Sequence, residues 1–148
     1  MKQFTFPLNR VMDWRRAQTR IEESRLQRLL AEARGIDARE ASLNEERAAS
    51  ERALLAGPAV TGFELAALDA FQRYTETERG RIAHARADCG RRIAAQLDVV
   101  NVKRREVRLL EKLKERRLRT WQEELGREID READEAYLAK WNRQHQQG

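Results

Sequence analysis

The placement of the two prolines constrains this chain most. A proline inside a helix deletes a backbone hydrogen bond and clashes with the preceding turn, so long helices form only where proline is absent. Pro7 and Pro58 are the only prolines in 148 residues, and both lie outside the stretches of helical periodicity. Pro7 suits the first turn of a helix, where a missing N–H costs nothing. Pro58 sits in Ala56-Gly57-Pro58-Ala59-Val60-Thr61-Gly62, the one convincing loop. Gly57 can end a helix in a left-handed conformation, and Pro58 then prevents its continuation. Thr61 and Glu64 have the spacing of a capping box, which restarts a helix. The spacing predicts a single domain over 1–148, with a helix over about 7–56, a turn over 57–62 and a second helix over about 62–144.

Composition supports helices over sheets. Aromatic residues make up 6% of the chain and charged residues 37%. Ala, Arg, Glu, Leu and Gln dominate, as in long helices and coiled coils, and turn residues are too few for a sandwich or barrel. In the first helix Leu26, Leu29, Ala33, Ile36, Glu40, Leu43, Arg47, Ser50 and Leu54 alternate steps of three and four, the seam of a left-handed coiled coil. Upstream, Leu8, Val11, Trp14 and Ile21 need a shift of register, read as a stutter. The second helix carries Phe63, Ala67, Phe71, Tyr74, Glu78, Ile82, Ala85, Cys89, Ile93, Leu97, Val100, Val107, Leu110 and Leu113. Beyond these, Trp121, Leu125, Ile129, Ala133, Tyr137 and Trp141 recur every four residues. At 1.5 Å per residue the helices span roughly 75 and 120 Å.

So short a turn makes the helices antiparallel. The expected fold class is therefore all-α: two long helices in an antiparallel coiled-coil hairpin, with a C-terminal helical overhang. With the turn centred near Pro58 and Ala59, Leu43 should face Glu76, Leu26 should face Ile93, and Val11 should fall opposite Arg108. From about Leu113 onward the second helix has no partner helix. Apolar residues there suggest a binding surface.

Catalytic and metal-binding patterns are missing from the sequence. It contains no glycine-rich phosphate loop, and His84 and His145 lack the spacing of metal ligands. No cofactor is expected. Cys89, the single cysteine, reads as a small core residue of a chain in a reducing compartment. No apolar run approaches the ~20 residues that span a bilayer, and the opening residues lack the apolar core of a secretory leader. The net charge of +5 permits steering toward acidic partners without identifying one. Its densest source is Lys103-Arg104-Arg105-Glu106-Val107-Arg108, continuing through Lys112, Lys114, Arg116, Arg117 and Arg119. This stretch reads either as a face for nucleic acid or an acidic protein, or as a solvated face with i,i+4 ion pairs. The acidic block of Glu123, Glu124, Glu128, Asp130, Glu132, Asp134 and Glu135 follows directly. That reversal argues for a charge-patterned protein interface.

The opening Phe4-Thr5-Phe6-Pro7-Leu8-Asn9-Arg10-Val11 is similar to the start of the FliJ family of flagellar export proteins. Leu110-Glu111-Lys112-Leu113-Lys114-Glu115-Arg116-Arg117 also resembles that family, as do Trp121, Glu124, Glu128 and Asp134-Glu135-Ala136 at its intervals. Where the family often holds Tyr, this chain has Trp121. The resemblance spans the chain in length, two-helix plan and turn position. It implies a cytoplasmic, non-enzymatic component of the flagellar type III export apparatus, peripheral at the inner face of the membrane. The implied partners are a FliI-like hexameric export ATPase, a FlhA-like export-gate protein and export chaperones, with no nucleic acid. By this resemblance, the end bearing both termini enters the ATPase ring, with Phe4, Phe6, Arg10, Arg116, Arg117, Trp121 and Glu124 as contact candidates. The turn half then faces the gate through Leu43, Arg47, Phe71, Tyr74 and Glu78. YscO-like proteins of virulence secretion systems are similar enough to share this pattern. Two alternatives remain at this point: a basic coiled coil that binds nucleic acid, and a homodimeric structural protein joined through its overhang.

Overall fold

A computed structural model describes residues 3–146. The chain is all-α, built from α1 (Asn9–Leu55) and α2 (Gly62–His145), which pack extensively against each other. Cα packing divides it into two compact units. One holds residues up to Gln18 with those from Lys103 onward, and the other holds residues 19–102.

The helix ends follow from local chemistry. Asn9 N–H donates to the Phe6 carbonyl at 3.1 Å, so Pro7 occupies the second position of a tight turn ahead of α1. Pro7 therefore lies outside the first helical turn where it was expected, in a turn that its fixed φ favours equally. At the other end, none of the described glycines has positive φ, which overturns the left-handed cap expected at Gly57. Ala56 N–H still donates to the Arg52 carbonyl at 3.0 Å. Pro58 then stops the helix unaided, because it lacks a donor and disfavours helical geometry in the residue before it. The restart is a reciprocal capping box. Thr61 N–H donates to Glu64 Oε2, and Glu64 N–H donates to Thr61 Oγ1, both at 3.2 Å.

Within the unit of residues 19–102, the core is a cluster of Ile36, Leu43, Ile82 and Cys89, flanked by Ala33, Ala85 and Ile93. Cys89 is buried and its Sγ lies 3.5 Å from the Leu29 carbonyl. Gln96 Nε2 donates to the Glu22 carbonyl at 3.0 Å and to its carboxylate at 2.6 Å. These contacts hold the helices antiparallel, within one position of the register expected from the turn. Arginines reach further along the partner helix: Arg79 to Asn44 at 3.1 Å, and Arg92 to Glu32 at 2.5 Å. Arg86 bonds both Asp37 and Glu40. The hydrogen bond from Arg86, with its positive charge, holds the Glu40 carboxyl below its ordinary value, and the same bond raises Arg86. The Glu32 bond likewise raises Arg92.

The seam departs from expectation at several named positions. Val11, Trp14 and Ile21 are exposed, whereas Met12, Thr19 and Leu26 are buried. The buried residues of α1, Met12, Thr19, Leu26, Ile36 and Leu43, then all fall on one alternation of three and four, and no stutter is needed. The apolar pattern misled because the seam accepts Arg15, Thr19 and Glu22, whose polar atoms find partners while their stems pack. In α2, Phe63, Tyr74 and Leu97 are exposed rather than in the stripe. Beside Tyr74 and Leu97, Thr75 and Gln96 take the seam places. The Thr75 hydroxyl is satisfied within its own helix, donating to the Phe71 carbonyl at 2.6 Å, so its burial leaves no orphaned polar atom.

Candidate functional site

The unit that holds both ends of the chain contains an aromatic clasp. Residues 3–8 precede the helix as a non-helical segment, irregular over 3–6 and turned at Pro7 and Leu8. A chain outside a helix advances further per residue than one inside it, so a short segment covers a longer stretch of α2. Phe4 thereby reaches Trp121, with ring centroids 5.8 Å apart and planes tilted by 51°. Phe6 is 5% exposed, and the Arg117 guanidinium lies 5.8 Å from its ring centroid. Lys114 donates to Asn9 Oδ1 at 3.1 Å. Arg15 to Glu106 at 2.8 Å and Arg16 to Glu111 at 3.1 Å fasten α1 to α2 just inside the clasp.

Of the residues proposed for the terminal end, the structure brings together Phe4, Phe6, Arg117 and Trp121. Arg10 joins Phe4, Phe6 and Lys114 in lining an open depression beside the clasp. Arg116 and Glu124 are exposed on α2. Trp121 had no helix to cover it and was expected to be free. The non-helical segment covers it instead. The bare part of α2 starts further on, and every described residue from 127 to 146 is exposed, Ile129, Tyr137, Leu138 and Trp141 included. Trp141 stacks on His145, with ring centroids 4.0 Å apart.

The turn end, in the other unit, spreads its candidates differently. Leu43 is buried in the core cluster, and Arg47 pairs with Glu51 at 3.2 Å. Glu78 is held between Arg81 at 2.7 Å and Arg39 at 3.8 Å. Phe71 is half-buried, and its ring lies 6.3 Å from that of Tyr74, which is 54% exposed. Leu43, Tyr74 and Glu78 line one shallow groove with Arg39, Glu46 and Ile82. Sequence reasoning passed over the most exposed apolar residues of this unit. Leu55 is 84% exposed and Phe63 85%, with Val60 and Leu65 beside the same turn. The available signal was the absence of charge: Glu64 is the only ionisable residue between Arg52 and Asp69.

Among the described residues, no three His, Cys, Asp or Glu side chains converge on a metal-binding geometry. No helix there is long and apolar enough to cross a membrane. Compared with known proteins, the chain matches no family model, no curated protein and no solved structure.

Proposed function

We propose that this chain is a non-enzymatic coiled-coil component of the flagellar type III protein export apparatus. In this reading the clasp end binds a hexameric FliI-like ATPase ring. The turn end meets a FlhA-like export gate, and the protein links ATPase and chaperone cycling to secretion from a peripheral position at the cytoplasmic membrane face. The supporting observation is the clasp itself. The aromatic-x-aromatic opening, and Arg117 and Trp121 of the second helix, are among the residues that carry the resemblance to the FliJ family, and they lie far apart in sequence. They meet in space as one surface of rings and cations. A protein without reactive groups influences an ATPase only by binding one of its states more tightly than another. The chain alone should hydrolyse no ATP, and it should raise the turnover of the cognate export ATPase. Arg117→Glu should weaken that stimulation. An unchanged ATPase rate together with no complex in pull-down would refute the reading.

One observation favours a second reading. Arg105, Arg108, Lys112, Arg116 and Arg119 are all exposed, and their spacing puts them on one flank of α2. Such a stripe suits a phosphate backbone. Binding to duplex DNA that falls steeply with salt, and falls further in Arg108→Glu, would support it. Indifference to DNA at low salt would remove it.

A further inference from the structure

We infer that the outward flank of α2 is a self-association surface. On it two copies of this chain pair antiparallel, about a two-fold axis at position 121. This goes beyond the export reading and does not rest on it. Arg105, Arg108, Lys112 and Arg119 stand on one flank of α2, and steps of three, four or seven carry the same flank on to Glu123, Asp130, Asp134 and Tyr137. All of these side chains are exposed. α1 lies on the other side of α2, where its residues bond Glu106, Glu111 and Lys114. Among the described residues, none of the charges on the outward flank has an ion-pair partner. Within one helix they stand mostly beside their like, Arg105 by Arg108 by Lys112 and Asp130 by Asp134, an arrangement that destabilises an isolated helix.

The order of the charges selects the occupant. Their sign reverses about position 121, and residues at equal distances on either side of it are complementary. Antiparallel pairing sets Arg119 against Glu123 of the other copy, Lys112 against Asp130, and Arg108 against Asp134. Arg105 meets the Tyr137 ring, and the two-fold repeats every contact. No like charges oppose each other at the axis. Arg119 and Glu123 alternate in sign across it, and Thr120 and Gln122 beside them are uncharged. Arg116 meets Gly126, whose missing side chain leaves it room to turn toward Glu123 or Asp130 of the other copy and away from Arg127. A phosphate backbone or an acidic protein would match the first half of the flank and be repelled by Asp130 and Asp134. A surface with the same reversal, read in the opposite direction, fits both halves, and a second copy supplies it.

Sedimentation velocity on the full chain, from about 5 to about 500 μM, tests this. The expected result is a monomer–dimer transition in about 20 mM salt that weakens at least about 10-fold in about 500 mM, because exposed ion pairs hold the contact. Arg108→Glu and Asp134→Arg should each weaken dimerisation by at least about 10-fold, with unchanged helical circular dichroism, since both side chains are exposed. Mixing the two variants should restore pairing. The introduced carboxylate of one then meets the introduced guanidinium of the other, and the native Arg108–Asp134 pair forms across the axis. The inference is overturned if the chain stays monomeric at low salt, if dimers ignore both substitutions, or if the mixture pairs no better than its components. A chain that remains monomeric yet binds duplex DNA, and binds it more tightly in Asp134→Arg, would assign the flank to nucleic acid and equally overturn the inference.

Discussion

Replacing Phe6 with alanine should open the clasp without unfolding the helices. Phe6 is the most buried residue of the pre-helical segment, and truncating a buried phenylalanine costs about 3–5 kcal/mol when the surroundings hold still. The other fastenings are weaker. The Arg117–Phe6 contact is worth about 0.5–1 kcal/mol at an exposed site, and it disappears with the ring. The Phe4–Trp121 pair adds about 0.5–1.5 kcal/mol beyond its area. Ordering each residue of the segment costs about 1–2 kcal/mol, so the remaining contacts cannot hold it once Phe6 is gone. The segment should therefore detach, and detachment keeps the loss registered by the helices below the full cost of the truncation. In a Trp14→Phe, Trp141→Phe background Trp121 is the sole indole, and its emission reports on the clasp. Phe6→Ala should shift that emission fully to the red and strip amide-exchange protection from Asn9, while far-ultraviolet dichroism barely changes. Phe4→Ala should give a smaller shift. If Trp121 emission stays put in Phe6→Ala, Trp121 is covered by something else and the account of the clasp is wrong.

Three further outcomes follow from the hydrogen bonds and burial described. Thr61→Ala removes the capping hydroxyl of α2 and should cost about 1 kcal/mol in urea unfolding; no measurable loss would mean the cap is not formed in solution. Glu40 titrates below its ordinary value of 4.5 in the folded chain, chiefly because Arg86 donates to it. Its stabilising effect is thus present above pH 4.5 and lost as pH falls through the depressed folded value. The stability difference between the parent and Glu40→Gln should follow that course, and a constant difference down to strong acid would contradict it. Cys89, 1% exposed, should react with an aromatic disulfide reagent only at the rate of helix opening, and Cys89→Ser should destabilise by about 1–3 kcal/mol. Immediate labelling of the native chain would refute its placement.

How much of this was legible in the sequence depended on which force decided each feature. The two-helix plan, the turn and the capping box were readable because proline geometry and the Thr61–Glu64 spacing act locally. The lower seam was readable because Leu26, Ile36 and Leu43 carry it as apolar residues. The upper seam was not, because Thr19 and Glu22 occupy core places while Trp14 and Ile21 face outward, so hydrophobicity pointed the wrong way. Thr75 and Tyr74 repeat the lesson: a hydroxyl that bonds its own helix is cheap to bury, whereas a phenol needs an outside partner or water. Among the candidate residues, the clasp members were visible as types. Their meeting was not, because a count at equal level places Phe6 opposite Leu113, and it is the Arg117 side chain that reaches back about one turn, as Arg79 and Arg86 do to Asn44 and Asp37.

The pre-helical segment also bears on how the terminal end would grip a partner. Had α1 continued through residues 3–8 as helix, Phe4 and Phe6 would stop short of Trp121, leaving the indole bare to solvent. Laid out as a strap, the same residues bury Phe6, half-bury Phe4 and Trp121, and keep Arg10, Arg116 and Glu124 in water. The apolar groups are thus already ordered before any partner arrives, and the charged groups surround them. A surface arranged in this way loses little side-chain entropy on binding and takes its selectivity from the charged rim. Under the export reading, substituting the rim should therefore change association rate and salt dependence. Opening the strap should instead raise the dissociation rate, because the partner would then have to order Phe4 and Phe6 itself.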